Sequence, residues 1–127
     1  SLGASLTQMG YENYPEALYN VLKRVDKDLK DRNLSIPLYV TENGIATSND
    51  EERVLFIDKA LHGLKKAKDE GVDVRGYFHW SLLDNFEWQK GFSMTFGLIK
   101  VDRNTMERFP KPSLKYLGSF APEKRMV

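Results

Sequence analysis

The apolar positions of this chain recur in two different periods. Leu18, Val21, Leu22, Val25 and Leu29 return at three- and four-residue spacing, which gathers them on one face of a helix. Pro15 suits the first position of that helix, since proline has no N–H to leave unpaired there. Asn33 and Pro37 bracket its exit. Residues 38–41 form a short, apolar, β-favouring run that predicts a buried strand, ended by Glu42-Asn43-Gly44. Ser48-Asn49-Asp50-Glu51 then reads as a capping box. Behind it Val54, Ile57, Leu61 and Leu64 share a helix face, with Ala60 and Ala67 beside them and Gly71 as the stop. Residues 74–78 predict a second buried strand. Residues 96–101 predict a third, which Asp102-Arg103-Asn104 can turn into a hairpin. Pro112 opens a last helix carrying Leu114, Leu117 and Phe120, with Pro122 and the charged tail to end it.

Strand, helix and strand make one βαβ unit with parallel strands and a right-handed crossover. Two continuously apolar parallel strands expect strand neighbours on both sides and helices on both faces. This inventory leaves both sheet edges bare. The expectation is therefore a piece of a larger α/β sheet or barrel, taken from a longer chain or completed by a partner.

Composition changes this little. At 127 residues, 41% hydrophobic and 29% charged, the chain suits one globular domain. A formal net charge of +1 gives no field for nucleic acid or an anionic membrane. Without cysteine there are no disulfides, thiolate zinc sites or cysteine nucleophiles, which is compatible with a cytoplasmic protein. His62 and His79 are far apart and a poor basis for a metal site. Neither a signal-peptide pattern at residues 1–10 nor a run of transmembrane length is present.

Chemistry concentrates where the strand at 74–78 runs out. Trp80, Ser81, Leu82, Leu83, Asp84, Asn85, Phe86, Glu87 and Trp88 follow in succession. A loop ordinarily sheds aromatics, and this one keeps three. Flat apolar faces beside fixed hydrogen-bonding groups suit a sugar, whose ring faces are C–H and whose rim is hydroxyl. Ligands of α/β sheets and barrels meet the carboxyl ends of the strands, so Glu42 and this loop should share one mouth. A glutamate on a rigid strand serves as a nucleophile if hydrogen bonds or a cation keep it ionised. Retaining glycoside hydrolysis needs a second carboxyl roughly 5–5.5 Å away. Glu87 and Asp84 are the carboxyls on hand. Glu87 fits a sugar-hydroxyl acceptor better, and Asp84, beside Asn85, fits a loop cap better.

Val40-Thr41-Glu42-Asn43-Gly44, the run from Arg75 through His79-Trp80-Ser81 to Trp88, and then Gly91-Phe92 and Phe96-Gly97-Leu98 together resemble glycoside hydrolase family 1, the β-glucosidases, β-galactosidases and related β-glycosidases. The flanks fit as well, from Gly10-Tyr11-Glu12 with Pro15-Glu16 to Lys111-Pro112-Ser113. His79-Trp80-Ser81 with Gly91-Phe92-Ser93-Met94 looks closest to archaeal members. The resemblance implies an α/β fold: the C-terminal portion of a TIM (β/α)8 barrel, about its last two βα units and the preceding helix, with residues 1–127 forming one segment of a single barrel domain. It implies hydrolysis with retention and no metal or cofactor. By motif, Glu42 matches the nucleophile and Glu87 the acceptor for the sugar's O4 and O6. Trp88 matches an indole donor near O3, Trp80 the stacking platform and Phe96 an apolar wall. Glu87 would repel a phosphate, so the implied substrate is a neutral small-molecule or oligosaccharide β-glycoside.

The departures matter too. The family's Asn-Glu-Pro motif, which carries the acid/base glutamate, is absent, as are the upstream residues that bind the sugar and tune the nucleophile. The expected partner is thus the missing N-terminal part of the barrel, with no nucleic acid or membrane involved and a homo-oligomer left open. The expectation is an inactive chain from an active parent. Two rivals remain, a non-catalytic sugar-binding piece and a small α/β interaction domain. Of the other residues, His79 alternates away from Trp80 and reads as barrel wall. His62 and Lys65, Lys66 and Lys68 read as surface, Tyr77 and Phe78 as packing, the Leu and Met positions as core, and Arg75 as paired with an acid at the strand's base.

Overall fold

A computed structural model describes residues 5–121. The order is α1 (Ala17–Asp31), β1 (Leu38–Asn43), α2 (Asp50–Asp69), β2 (Val74–His79), a short 3-10 turn at Trp88–Lys90, β3 (Ile99–Val101), β4 (Arg108–Pro110) and α3 (Pro112–Gly118). The predicted order of elements is the observed one. Strands β1 and β2 are parallel and β3 and β4 antiparallel, in separate two-stranded sheets. Helices α1 and α2 cover one face of the parallel pair, and Leu18, Leu22, Val40, Phe56, Ala60, Ala67, Val72 and Val74 form the shared core.

Both long helices end in the same way. Leu34 N–H reaches back to Leu29 O and Asn33 N–H to Lys30 O; Val72 N–H reaches Ala67 O and Gly71 N–H Lys68 O. These are Schellman caps, and each needs a left-handed residue at its corner. Asn33 (φ 56°) and Gly71 (φ 89°) supply it.

Several local expectations change. Asn49, not Ser48, caps α2: its side chain accepts Glu51 N–H at 3.1 Å. Helix α1 starts at Ala17 rather than Pro15. The third strand shrinks to Ile99–Val101, because Phe96 O and Leu98 N–H bond back to Ser81. Phe120 lies beyond α3 and is exposed; Pro122 and the tail fall outside the described residues.

The strands are not buried on both faces. Tyr39 is 56% and Phe78 60% exposed. They share the face opposite the helices, where the Tyr39 ring crosses Gly76 beside Phe78. Val21, Leu55, Leu82 and Met106, read as core or packing, are exposed as well. An apolar sheet face in water is what a parallel sheet without its second covering layer presents. Arg75 pairs with Asp73 at the base of β2, Nη2 to carboxylate 2.8 Å, as expected.

Candidate active site

The parallel pairing sets β1 and β2 side by side, with Asn43 opposite His79. The strands therefore release Glu42 and Trp80 at the same rim. The joint is direct: Trp80 N–H donates to Asn43 O at 2.9 Å. The Tyr77 hydroxyl donates to the Asn43 side chain at 2.9 Å, fixing the strand end from the core side, and burial raises the pKa of that phenol. Glu42 is exposed and makes no ion pair among the described residues.

The loop after Trp80 is an arch with two bonded feet. Ser81 N–H donates to Phe96 O at 3.2 Å and Leu98 N–H to Ser81 O at 2.9 Å, so Phe96 stands beside the Trp80–Ser81 peptide, which is cis. Asp84 forms the second foot, accepting Gly97 N–H at 2.8 Å and Lys111 Nζ at 2.9 Å. It serves as a loop cap, as expected. Lys111 also donates to Gly97 O at 2.7 Å; burial lowers its pKa, against the pull of Asp84.

Glu87 and Trp88 lie at the crown of the arch. Glu87 N–H donates to Gly91 O at 2.7 Å and Glu87 O accepts Lys90 N–H at 2.7 Å. Phe86 and Phe92 meet edge to face at 5.3 Å across the base, and the Arg103 guanidinium lies over the Phe92 ring, 4.3 Å from its centroid. This bracing holds Trp88 at φ 40°, a conformation that costs a bulky residue about 1–3 kcal/mol and gathers at functional sites. The Trp88 side chain is 78% exposed and Trp80 41%. The structure thus bonds Trp80 and Phe96 into one rim with the strand that carries Glu42, and holds Glu87 and Trp88 on an arch sprung from that rim. A hollow of about 490 Å³ between α1 and α2 takes none of these five residues.

His79 points to the other side. Both ring nitrogens are buried without a partner among the described residues. Burial, with the Arg53 guanidinium adding to it and Asp50 opposing, draws its pKa down to about 4. Sequence reasoning missed the groups behind it. Arg53 is 1% exposed and donates to Thr47 O at 2.6 Å, Thr95 O at 2.7 Å and the Asp50 carboxylate. Asp50 accepts the N–H and the hydroxyl of Ser113, both at 2.8 Å. Its pKa is lowered: burial pushes it up, but the Ser113 bonds and Arg53 outweigh that. The available signal was a charge on the apolar face of α2, in step with Phe56, Ile57 and Ala60.

Among the described residues there is no group of three His, Cys, Asp or Glu side chains placed to hold a metal ion, and no helix long and apolar enough to cross a membrane. The sequence model described as Glycosyl hydrolase family 1 matches residues 3–126. The chain belongs to this family. Its relatives include a β-galactosidase of Sulfolobus acidocaldarius, 48% identical over 108 residues, which cover 84% of this chain and 21% of the relative. A bifunctional β-D-glucosidase/β-D-fucosidase of Bifidobacterium breve is 40% identical, covering 90% of this chain and 27% of that one. The apo structure of β-glucosidase 1317 superposes with a TM-score of 0.86 at 47% identity, covering 97% of this chain and 30% of that chain. The family 1 chain spans about a fifth to a quarter of the length of these curated relatives. It is a small α/β piece that matches part of the TIM-barrel β-glucosidases, and its two parallel strands do not close a barrel.

Proposed function

We propose that residues 1–127 are the C-terminal segment of a family 1 barrel, about its last two βα units with the preceding helix, and that the complete protein is a retaining β-glycosidase acting on neutral β-linked sugars. The carrying observation is the 2.9 Å bond from Trp80 N–H to Asn43 O, which fastens the strand end bearing Glu42 to the aromatic loop. Glu42 attacks the anomeric carbon and the aglycone oxygen leaves, protonated by an acid glutamate on the earlier strands. Water then adds to the anomeric carbon, that glutamate takes its proton, and Glu42 leaves as carboxylate. Trp80 lies under the apolar ring face, Glu87 accepts from sugar hydroxyls, Trp88 donates through its indole N–H and Phe96 closes the side.

The exposed face of Tyr39 and Phe78 supports the barrel reading, since the side opposite the helices is the interior of a closed barrel, filled by side chains of all its strands. The earlier strands would also supply the charge partner that Glu42 lacks among the described residues. Without the acid, loss of proton transfer alone costs about 10²–10⁴-fold, so the 127-residue chain by itself is inactive. The test is to treat the full-length protein with a 2-deoxy-2-fluoro glycoside and map the label by peptide mass. A glycosyl adduct on Glu42 is expected; an adduct elsewhere, or an inverted product anomer by NMR, would overturn the mechanism. Turnover by the purified 127-residue chain would overturn its incompleteness.

A further inference from the structure

We infer that Arg53 is a positioning residue for glycoside cleavage: from the buried side of α2, its guanidinium clasps the arm that carries Glu42 to the arm that carries Phe96. The inference rests on the function proposed above. The two arms are bonded in a circuit. Glu42 adjoins Asn43, whose carbonyl holds Trp80 N–H. Ser81 N–H, next along, holds the Phe96 carbonyl. Thr95 precedes Phe96, and its carbonyl accepts Thr47 N–H at 3.1 Å, while its hydroxyl lies 2.8 Å from both Thr47 O and Gln8 Oε1. Residues 43–47 complete the ring back to Glu42.

Arg53 sits at the closure. Its Nη2 donates to both Thr47 O and Thr95 O, carbonyls that lie 48 residues apart in the chain. Its Nη1 rests on Asp50, which the N-terminus of α3 holds through Ser113. The planar fork of a guanidinium reaches two carbonyls and a carboxylate at once; an ammonium on a flexible stem does not hold the same spacing. The apolar residues of α2, such as Phe56 and Ala60, press the helix onto the sheet without direction. The Arg53 bonds are directional and span both arms, so they set where Glu42 stands relative to the sugar-binding wall.

The experiment uses the full-length protein with Arg53→Lys, Arg53→Met and, as a stability control, Ile57→Val, which trims a fully buried neighbour outside the circuit. The readouts are the rate of 2-deoxy-2-fluoro glycoside labelling of Glu42, kcat and KM, taken where circular dichroism shows each variant folded. A misplacement of the order of 1 Å costs up to about a hundredfold, so labelling and kcat should fall by about ten- to a hundredfold in Arg53→Met and by less in Arg53→Lys. Ile57→Val should lower Tm and leave labelling unchanged. Labelling at the unsubstituted rate in a folded Arg53→Met variant would overturn the inference. So would an equal slowing in Ile57→Val, which would reduce Arg53 to a stabilising role. If neither Arg53 variant folds, Asp50→Asn decides, since it removes the charge that anchors Arg53 Nη1 and leaves both carbonyls in place: slower labelling supports the positioning role and an unchanged rate overturns it. If the unsubstituted protein itself takes no label on Glu42, the proposed function has failed, and this inference with it.

Discussion

Gly44 lies against the main chain of Trp80: a Cβ at this position would stand 1.8 Å from the Trp80 carbonyl oxygen and 2.8 Å from its carbonyl carbon. Backbone cannot swing aside as a side-chain tip can. Gly44→Ala must therefore part the strand end bearing Glu42 from the Trp80 loop or distort both. Overpacking of this kind costs about 1–3 kcal/mol or more. The urea midpoint of Gly44→Ala should fall, and the full-length variant should lose Glu42 labelling. An unchanged midpoint would contradict the contact.

His79 makes stability depend on pH. Its folded pKa is about 4 against an ordinary 6.5, so between these values the unfolded chain binds a proton that the folded chain refuses. Stability therefore rises with pH through this window and is lost as pH falls from about 6.5 to about 4, by up to about 3 kcal/mol. Asp50, whose folded pKa is lowered, adds to the loss as pH falls further, through the carboxylate range. Denaturation of the protein and of His79→Gln across this range separates the two: the substitution should flatten the upper part of the profile and leave the acid part. The His79 ring should titrate near pH 4 by NMR, and Arg53→Met should move that midpoint upward, because the guanidinium helps to hold it down.

Lys111 and Asp84 are a largely buried ion pair, with side chains 15% and 11% exposed. Removing one partner strands the other charge, a loss of about 3–5 kcal/mol for a buried pair. Lys111→Met should lower the denaturation midpoint sharply. The double variant Lys111→Met/Asp84→Asn should recover much of that loss, since no charge is left stranded. A double variant no more stable than Lys111→Met would show that the carboxylate is not the cause.

Trp88 tests the site apart from the fold. Its side chain is largely exposed, and surface substitutions usually change stability by less than about 0.5 kcal/mol. Trp88→Phe keeps the aromatic face and removes the N–H donor. One hydrogen bond is worth about 0.5–1.5 kcal/mol, so kcat/KM of the full-length protein should fall about two- to tenfold with the denaturation midpoint held. Unchanged kcat/KM on several β-glycosides would remove Trp88 from the sugar site.

The sequence by itself determined what depends on near neighbours. Helix periodicity, the Gly71 and Asn33 exits, Pro112 at the start of α3, the parallel βαβ unit and the family motif follow from residues a few positions apart. So did the incompleteness of the sheet, since counting strands needs no coordinates. Only the tertiary structure decided what depends on distant groups meeting. No local spacing singles out Arg53, whose partners Thr47 O and Thr95 O meet it only in the folded chain. His79 became a perturbed base only once α2 and its charges packed over it, and Lys111 an ion-pair partner only once the arch folded down. Asn49 displaced Ser48 as the cap of α2, although both side chains are capable of it. Local spacing reports φ, ψ and which face is apolar; burial, desolvation and bonds between remote carbonyls exist only after the chain has closed on itself.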